Sequence, residues 1–198
     1  MRQGHSGGLL IVVSAPSGTG KTTLCRKLME VEERARFSIS VTSRAPRRGE
    51  VDGEDYIFLT EEEFLSQIDE GGFIEWARVH DHYYGTSRDF IEDNLKKGIY
   101  VILDIDVQGG LQIKEKYPDT ILIFVMPPSL EELRNRLINR KQDTVEEIEK
   151  RINNSYDEVR RAPEYDYLIE NKDIEVALSE MRAIITAEKC KVRKQRRI

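Results

Sequence analysis

A short glycine-rich segment near the amino terminus has residues of the types, and at the spacing, that bind phosphate. Residues Ser14–Thr23 read SAPSGTGKTT. Gly18 and Gly20 allow the backbone to curl so that its N–H groups surround anionic oxygens. Lys21 supplies a mobile positive charge, and the Thr22 hydroxyl is placed to bind Mg²⁺. The segment therefore predicts a loop that holds the phosphates of a nucleoside triphosphate.

The sequence around this loop has the order that the motif requires. The apolar run Leu9–Val13 predicts a buried parallel strand, and a helix is predicted from Lys21 to Glu33. The usual pattern G-x-x-x-x-G-K-[ST] begins with glycine, whereas this chain has Ala15. Alanine disfavours only positive φ, so we expect the loop to close. The residues expected to contact ATP are Ala15, Pro16, Ser17, Gly18, Thr19, Gly20, Lys21, Thr22 and Thr23.

Two acidic residues at the end of a later apolar run are candidates for the metal side of the site. Asp104 and Asp106 end the run VILDID, and alternate positions of a strand share one face. Phosphoryl-transfer enzymes use an aspartate at the end of a neighbouring strand to support Mg²⁺. Thr22 and Asp104 are therefore the expected metal residues. An aspartate at a strand end can also cap a helix, and this alternative stays open for one of the two.

A turn-rich segment in the first half of the chain carries a group of arginines. Arg44, Arg47 and Arg48 are followed by Tyr56. Guanidinium groups bind phosphate monoesters through paired hydrogen bonds, and a phenolic hydroxyl can add another. A solvated basic loop is the alternative. The Gly and Pro turns that separate these arginines favour an acceptor-phosphate site.

Strand and helix patterns along the rest of the chain indicate how these residues are positioned. Thr60 and Glu63 have the spacing of a capping box, and Ser129 is a predicted helix N-cap. Strands that alternate with helices predict an α/β fold in which a parallel sheet is covered on both faces. Strand patterns cover 37–43, 56–59, 73–79, 99–106, 120–126 and 167–171. Helix patterns cover 60–69, 87–97, a stretch from 129 to 151, and 174–190.

The composition is that of a charged globular enzyme. A chain of 198 residues can bury one core with an inserted lobe or two. Its formal charge of −5 offers no basic field to nucleic acid, so no nucleic-acid partner is expected. Cys25 and Cys190 make no disulfide framework, and the apolar run 9–13 is too short for a signal peptide or membrane span. We expect a cytoplasmic protein without a membrane partner.

Several strings in this sequence are similar to motifs of the guanylate kinase family. The pattern S-x-x-S/T-R-x-P-R-x-G-E-x-x-G-x-D-Y is matched from Ser40 to Tyr56. FIEWA follows at Phe73–Ala77 and YGT at Tyr84–Thr86. The similarity continues through ILDID at Ile102–Asp106 and PPS at Pro127–Ser129, and covers nearly the whole chain.

This resemblance implies a fold and an activity. The fold is α/β, a P-loop NTPase core with a parallel sheet flanked by helices, an inserted small α+β GMP-binding lobe and a helical lid. The activity is Mg²⁺-dependent transfer of the γ-phosphoryl of ATP to GMP in purine nucleotide metabolism. Use of dGMP and the choice between monomer and homo-oligomer stay open. The implied segments are a core of 1–36, 99–130 and 155–198, a GMP-binding lobe of 37–98 and a lid of 131–154.

The resemblance also implies which residues bind GMP. A carboxylate accepts hydrogen bonds from guanine N1–H and the 2-amino group, and a hydroxyl donates to O6. Adenine lacks that donor pair, and an unpaired carboxylate costs roughly 1–3 kcal/mol or more, so AMP is expected to be excluded. Without the resemblance, Glu75 would be an outward-facing strand carboxylate. The implied GMP residues are Arg44, Arg47, Tyr56 and Tyr84 for the phosphate, Ser40, Glu75 and Thr86 for the base, and Asp104 beside the acceptor.

A stretch rich in arginine and glutamate is the implied lid. Arg136 and Arg140 would contact ATP, and Arg140 and Arg151 would act in catalysis with Lys21 and Arg44. Pairs of opposite charge four residues apart on an exposed helix are the alternative explanation. Asn171, after the last predicted strand, is expected either to contact adenine or to cap a turn.

Three other functions were weighed against this one. A nucleoside monophosphate kinase for another base is disfavoured by Glu75 and Ser40. A non-catalytic guanylate-kinase-like binding module is disfavoured by the intact Lys21. A regulatory GTPase is disfavoured because the sequence NKD at 171–173 lacks the spacer of N/T-K-x-D.

Overall fold

Two β-sheets, seven α-helices and a short 3₁₀ helix (Ala162–Glu164) form the regular structure of the parts of the chain that the computed structural model describes, residues 7–79, 81–139 and 145–191. The strands are β1 (Leu9–Ser14), β2 (Ala35–Phe37), β3 (Val41–Thr42), β4 (Ile57–Phe58), β5 (Phe73–Val79), β6 (His82–Ser87), β7 (Tyr100–Asp104), β8 (Ile121–Met126) and β9 (Tyr167–Glu170). The helices are α1 (Lys21–Val31), α2 (Glu61–Asp69), α3 (Arg88–Lys96), α4 (Val107–Lys116), α5 (Leu130–Asn139), α6 (Val145–Arg160) and α7 (Ile174–Cys190).

The core is a five-stranded parallel sheet in the order β2-β7-β1-β8-β9. Its central strand β1 is buried on both faces. Leu9, Ile11 and Val13 pack in one cluster with residues of α1 and α7, while Leu10 and Val12 pack in another with residues of α3 and α4. This alternation follows the two-residue period of a strand and produces three layers, helices on each side of the sheet. The parallel sheet between helices confirms the expected α/β fold class.

The second sheet has the order β4-β3-β6-β5 and lies between β2 and β7 in the sequence. One face is covered by α2, whose first turn has the expected capping box between Thr60 and Glu63. From this helix the buried Phe64 stacks on Phe73 of β5 and on Tyr83 of β6, with ring centroids 4.4 and 5.5 Å apart. A small aromatic core therefore holds the sheet and helix together.

Several expected elements differ from the observed ones. The single strand expected over 37–43 is wrong, because the chain leaves the core sheet after β2 and enters the second sheet at β3. The helix expected from 129 to 151 is two helices, α5 and α6. Strand β6 and helix α4 were not expected at all. Among the described residues, no helix has the length and apolar character to cross a membrane.

Close packing at Gly85 of β6 leads to a prediction about stability. A Cβ built there would lie 3.0 Å from a Phe73 ring carbon, 3.1 Å from Phe64 Cζ and 3.2 Å from the Glu75 carbonyl. Gly85→Ala is therefore expected to lower the free energy of unfolding by about 1–3 kcal/mol, measured by urea titration. Gly7→Ala is the matched control, since no atom lies within 4 Å of its Cβ position. Equal stability of the two variants would contradict this packing.

Candidate active site

The phosphate-binding loop connects β1 to α1 at the carboxyl edge of the core sheet. Gly18 and Gly20 both have φ of 93°, a region that glycine adopts without strain. The loop encloses a cavity of about 370 Å³ at the amino end of α1, where the helix dipole favours anions. The nine loop residues expected to contact ATP all line this cavity, and the others that line it are Asp104, Ile105, Asp106 and Glu158.

The end of β7 supplies the acidic partner of this loop. Asp104 Oδ1 lies 2.5 Å from the Lys21 ammonium, and Asp104 Oδ2 accepts a hydrogen bond of 2.9 Å from the Thr22 hydroxyl. Lys21 also donates to the Ile105 carbonyl at 3.3 Å, and the Ser14 hydroxyl donates to the same carbonyl at 2.8 Å. Lys21 and the Thr22 hydroxyl therefore both contact the carboxylate of Asp104.

The other acidic residue of this segment has a different role. Asp106 is the N-cap of α4, because its carboxylate accepts a hydrogen bond of 2.7 Å from the Gly109 N–H. Strand β7 ends at Asp104, so the expected strand through Asp106 is wrong. The alternative that was left open, a helix cap, applies to Asp106.

A second cavity of about 600 Å³ lies between the second sheet and the same edge of the core sheet. Its lining includes Asp104, which also lines the phosphate-loop cavity. The expected GMP residues that line it are Ser40, Tyr56, Glu75, Tyr84 and Asp104. Ile105 and Asp106 line both cavities as well, so the two cavities adjoin along residues 104–106.

A buried glutamate projects from β5 beside the second cavity. Glu75 is only 8% exposed, and its Oε1 accepts a hydrogen bond of 2.6 Å from the Thr86 hydroxyl of the paired strand β6. Burial raises the pKa of Glu75 above its ordinary value of 4.5, against the lowering effect of the Thr86 hydrogen bond. Because a hydroxyl has one hydrogen, Thr86 offers lone pairs to a ligand while it donates to Glu75.

A buried arginine lies beside the aromatic residues of the second cavity. Arg44 is 8% exposed, and its guanidinium lies 5.4 Å from the centroid of the Tyr56 ring. Glu50 holds this group with two hydrogen bonds, of 2.9 and 3.0 Å, and accepts a third of 2.6 Å from the Arg47 backbone N–H. These contacts raise the pKa of Arg44, with a smaller contribution from Tyr84, and lower the pKa of Glu50. The Arg47 side chain is exposed on the same turn.

The arginines expected to form a lid are described by the structure to different extents. Arg151 of α6 reaches the phosphate loop, where its Nη1 donates to the Ser17 hydroxyl at 3.4 Å. Arg134 of α5 pairs with Glu149 of α6 at 2.5 Å, which joins the two helices. Arg136 lies in α5, but its side chain lies outside the described part of the structure, as does the whole of Arg140.

Two further residues at the site, Glu50 and Glu158, had no role in the sequence prediction, and a third, Asn171, makes a contact that was not expected. Glu50 belongs to the string from Ser40 to Tyr56 that matches the family motif. Its position six residues after Arg44 could have indicated a partner for that arginine. Glu158 lines the phosphate-loop cavity, and burial raises its pKa, but α6 gives no sequence sign of which face meets the loop. Asn171 bonds to the loop at Thr19, a contact that neither of its two expected roles included.

Taken together, the strand, phosphate loop, helix and adjoining second cavity define a P-loop nucleotide phosphotransferase. The family model for guanylate kinase matches residues 8–188. A guanylate kinase of Caldanaerobacter subterraneus subsp. tengcongensis is 51% identical over 185 residues, covering 93% of this chain and 90% of that protein. One of Clostridioides difficile is 46% identical over 191 residues, covering 96% of this chain and 93% of that protein.

A solved structure is similar over the same extent. The crystal structure of guanylate kinase from Anaplasma phagocytophilum has a TM-score of 0.76 and 37% sequence identity, and the match covers 94% of this chain and 89% of that one. The chain belongs to the guanylate kinase family. It is an enzyme, a nucleoside monophosphate kinase, and its reaction is ATP plus GMP to ADP plus GDP.

The pair of hydrogen bonds from Arg44 to Glu50, called the clamp below, leads to a prediction about GMP affinity. Glu50→Gln keeps the shape of the side chain but removes its charge and one of its acceptor atoms. Arg44 then loses one of the two hydrogen bonds that fix the orientation of its guanidinium, so the KM for GMP is expected to rise about tenfold while the KM for ATP stays unchanged. Steady-state kinetics measures both. Glu54→Gln, at an exposed carboxylate of the same turn, is the control. An unchanged KM for GMP in Glu50→Gln would contradict the clamp.

Proposed function

We propose that ATP occupies the phosphate-loop cavity, that GMP occupies the adjoining cavity, and that the phosphoryl group passes between them beside Asp104. The observation that carries this proposal is the position of Asp104, which lines both cavities and contacts Lys21 and Thr22. A donor and an acceptor on either side of one carboxylate can approach without a covalent enzyme intermediate. Segment 37–98 then acts as the GMP-binding lobe and 131–154 as the lid.

On the ATP side, the backbone N–H groups of the loop and one lysine complement the negative charge of the phosphates. The backbone N–H groups from Ala15 to Thr23 surround the phosphates, and Lys21 exchanges its contact with Asp104 for the β- and γ-phosphates. Arg151, already within reach of Ser17, adds a second cation when the lid closes. Arg136 and Arg140 are assigned to the same lid. Positioning and charge neutralisation of this kind are the main contributions a protein makes to phosphoryl transfer.

The proposed metal ion is Mg²⁺, and the residues present suit it. Thr22 and Asp104 offer a hydroxyl and a carboxylate within 2.9 Å of each other. Mg²⁺ is usually held by one or two carboxylates together with substrate phosphates and water, so a dense ligand cluster is not required. Among the described residues, no group of three or more His, Cys, Asp or Glu is arranged to hold a metal. When bound, the ion would neutralise charge on the phosphates of ATP.

On the GMP side, charged groups of opposite sign match the two ends of the nucleotide. Arg44 and Arg47 bind the phosphate with the hydroxyls of Tyr56 and Tyr84. Glu75 accepts from guanine N1–H and the 2-amino group. The base residues are Ser40 as donor to O6, Glu75 as acceptor, and Thr86, which orients Glu75.

In the chemical step, the main task of the side chains is then to position the two substrates. A phosphate oxygen of GMP attacks the γ-phosphorus in line, a new O–P bond forms, and the bond to the β-phosphate bridging oxygen breaks to release ADP. The second pKa of a phosphate monoester is about 6, so near neutral pH the attacking group is already largely a dianion and no strong general base is required. Closure of the lid excludes water, which would otherwise hydrolyse ATP.

The first test of this assignment is the acceptor preference of the purified enzyme. ADP formation from Mg·ATP is measured with GMP, AMP, CMP and UMP in separate reactions. We expect turnover with GMP far above the others, and a loss of at least about a hundredfold in kcat for Lys21→Ala. GMP affinity of that variant, measured by fluorescence of Trp76 at the second cavity, should stay within about twofold. Turnover of AMP equal to that of GMP would contradict the role of Glu75.

The raised pKa of Glu75 predicts a pH dependence of GMP binding. Only the carboxylate accepts both guanine donors, so affinity is present above its pKa and is lost as the pH falls through it. Because burial raises that pKa, the loss begins at a higher pH than for an ordinary glutamate near 4.5. The phosphate of GMP also titrates in this range.

The ratio of the KM for GMP between Glu75→Gln and the wild type cancels the titration of GMP itself. We expect this ratio to be about tenfold or more near pH 8 and to fall toward one as the pH is lowered. A ratio that stays constant with pH would show that the ionisation of Glu75 is not involved.

A further inference from the structure

A buried asparagine joins the phosphate-binding loop to the end of the last core strand. Asn171 directly follows β9, and its backbone N–H donates to the Met126 carbonyl at 2.8 Å. Its side chain is buried, with the residue 6% exposed, and its amide Nδ2 donates to the Thr19 carbonyl at 2.7 Å. This is a direct bond between β9 and the backbone of the loop, made across 152 positions of sequence.

The carbonyl that Asn171 holds belongs to the peptide unit that also contains the Gly20 N–H. In a planar trans peptide the C=O and the N–H point in opposite directions. A donor that fixes the Thr19 carbonyl on one side therefore fixes the Gly20 N–H toward the other. Both Thr19 and Gly20 line the phosphate-loop cavity, so the orientation of this peptide decides whether the cavity presents an N–H or a carbonyl oxygen to an anion.

The local backbone does not set this orientation by itself. The Thr19–Gly20 peptide rotates through ψ of Thr19 and φ of Gly20, and φ of Gly20 is 93°. Glycine moves between positive and negative φ at little cost, so this peptide can rotate. Asn171 also contacts Gly20 closely, since a Cβ built on Gly20 would lie 2.8 Å from Nδ2. Asn171 therefore contacts the loop beside Gly20, where the backbone can change its conformation most easily.

We propose that Asn171 is a positioning residue for ATP binding, which holds the Thr19–Gly20 peptide so that the Gly20 N–H faces the phosphates. This inference rests on the proposed function, in which the loop binds ATP. It assigns Asn171 to the phosphates through the loop backbone, rather than to the adenine base. The amide nitrogen is essential because a carbonyl must be met by a donor, which neither an aspartate nor a leucine supplies.

The test uses two substitutions of similar size in the full-length enzyme. Asn171→Leu removes the donor without adding charge, and Asn171→Asp keeps the shape and provides a second case if the leucine variant does not fold. Asn94→Leu is the matched control, because Asn94 makes the same kind of bond, from its Nδ2 to the Phe90 carbonyl at 2.7 Å, in α3. GMP affinity by Trp76 fluorescence reports whether each variant keeps the second cavity intact.

Binding of Mg·ATP and of Mg²⁺ with inorganic tripolyphosphate is then compared by calorimetry. We expect Asn171→Leu to weaken both by the same factor, about tenfold, with the KM for ATP raised equally and GMP affinity unchanged. Weaker binding of ATP with unchanged binding of tripolyphosphate would overturn the inference in favour of an adenine contact. Unchanged binding of both would overturn it outright. If wild-type enzyme bound neither ligand, the proposed function would itself fail.

Discussion

The parallel pairing of β1 with β7 is the constraint on which the site depends. The two strands run in register from Leu9 opposite Tyr100 to Val13 opposite Asp104. Because parallel strands end at the same edge, the loop after β1 and the aspartate at the end of β7 are brought together by backbone hydrogen bonds alone. The contact of Asp104 with Lys21 and Thr22 is the result. A shift of one residue in this pairing would turn the carboxylate to the opposite face of the sheet.

The second sheet holds two charged side chains that are largely buried. Arg44 and Glu75 are both less than a tenth exposed. An isolated buried charge is costly, so each has a partner on a neighbouring strand or turn, Glu50 for the arginine and Thr86 for the glutamate. These partners also fix the rotamers of the groups proposed to bind GMP. The lobe is therefore organised before a nucleotide arrives, which lowers the entropic cost of binding.

Features carried by contiguous residues could be predicted from the sequence, and so could the distant approach of Asp104 to Thr22, because a known motif implies it. Distant contacts that no motif implies could not be predicted. The strand, glycine loop and helix around Lys21 are local, as is the capping box at Thr60. The split of 37–43 between two sheets has no local sign, because Phe37 and Val41 have similar apolar character and differ only in which strand they pair with. The bond from Asn171 to Thr19 and the approach of Glu158 to the loop depend on how α6 and β9 pack, which composition and periodicity do not contain.

The strand order of the core sheet also affects how the chain folds as it is made. Ser14 meets Ile105, 91 positions later, and the whole second sheet is synthesised between them. At about 5–20 residues per second, β1 waits on the order of 5–20 s for its neighbour β7 to emerge from the ribosome. During that time a six-residue strand, LLIVVS, has no partner in its own sheet. Until β7 emerges, segment 9–14 is therefore open to pairing with strands outside its own sheet.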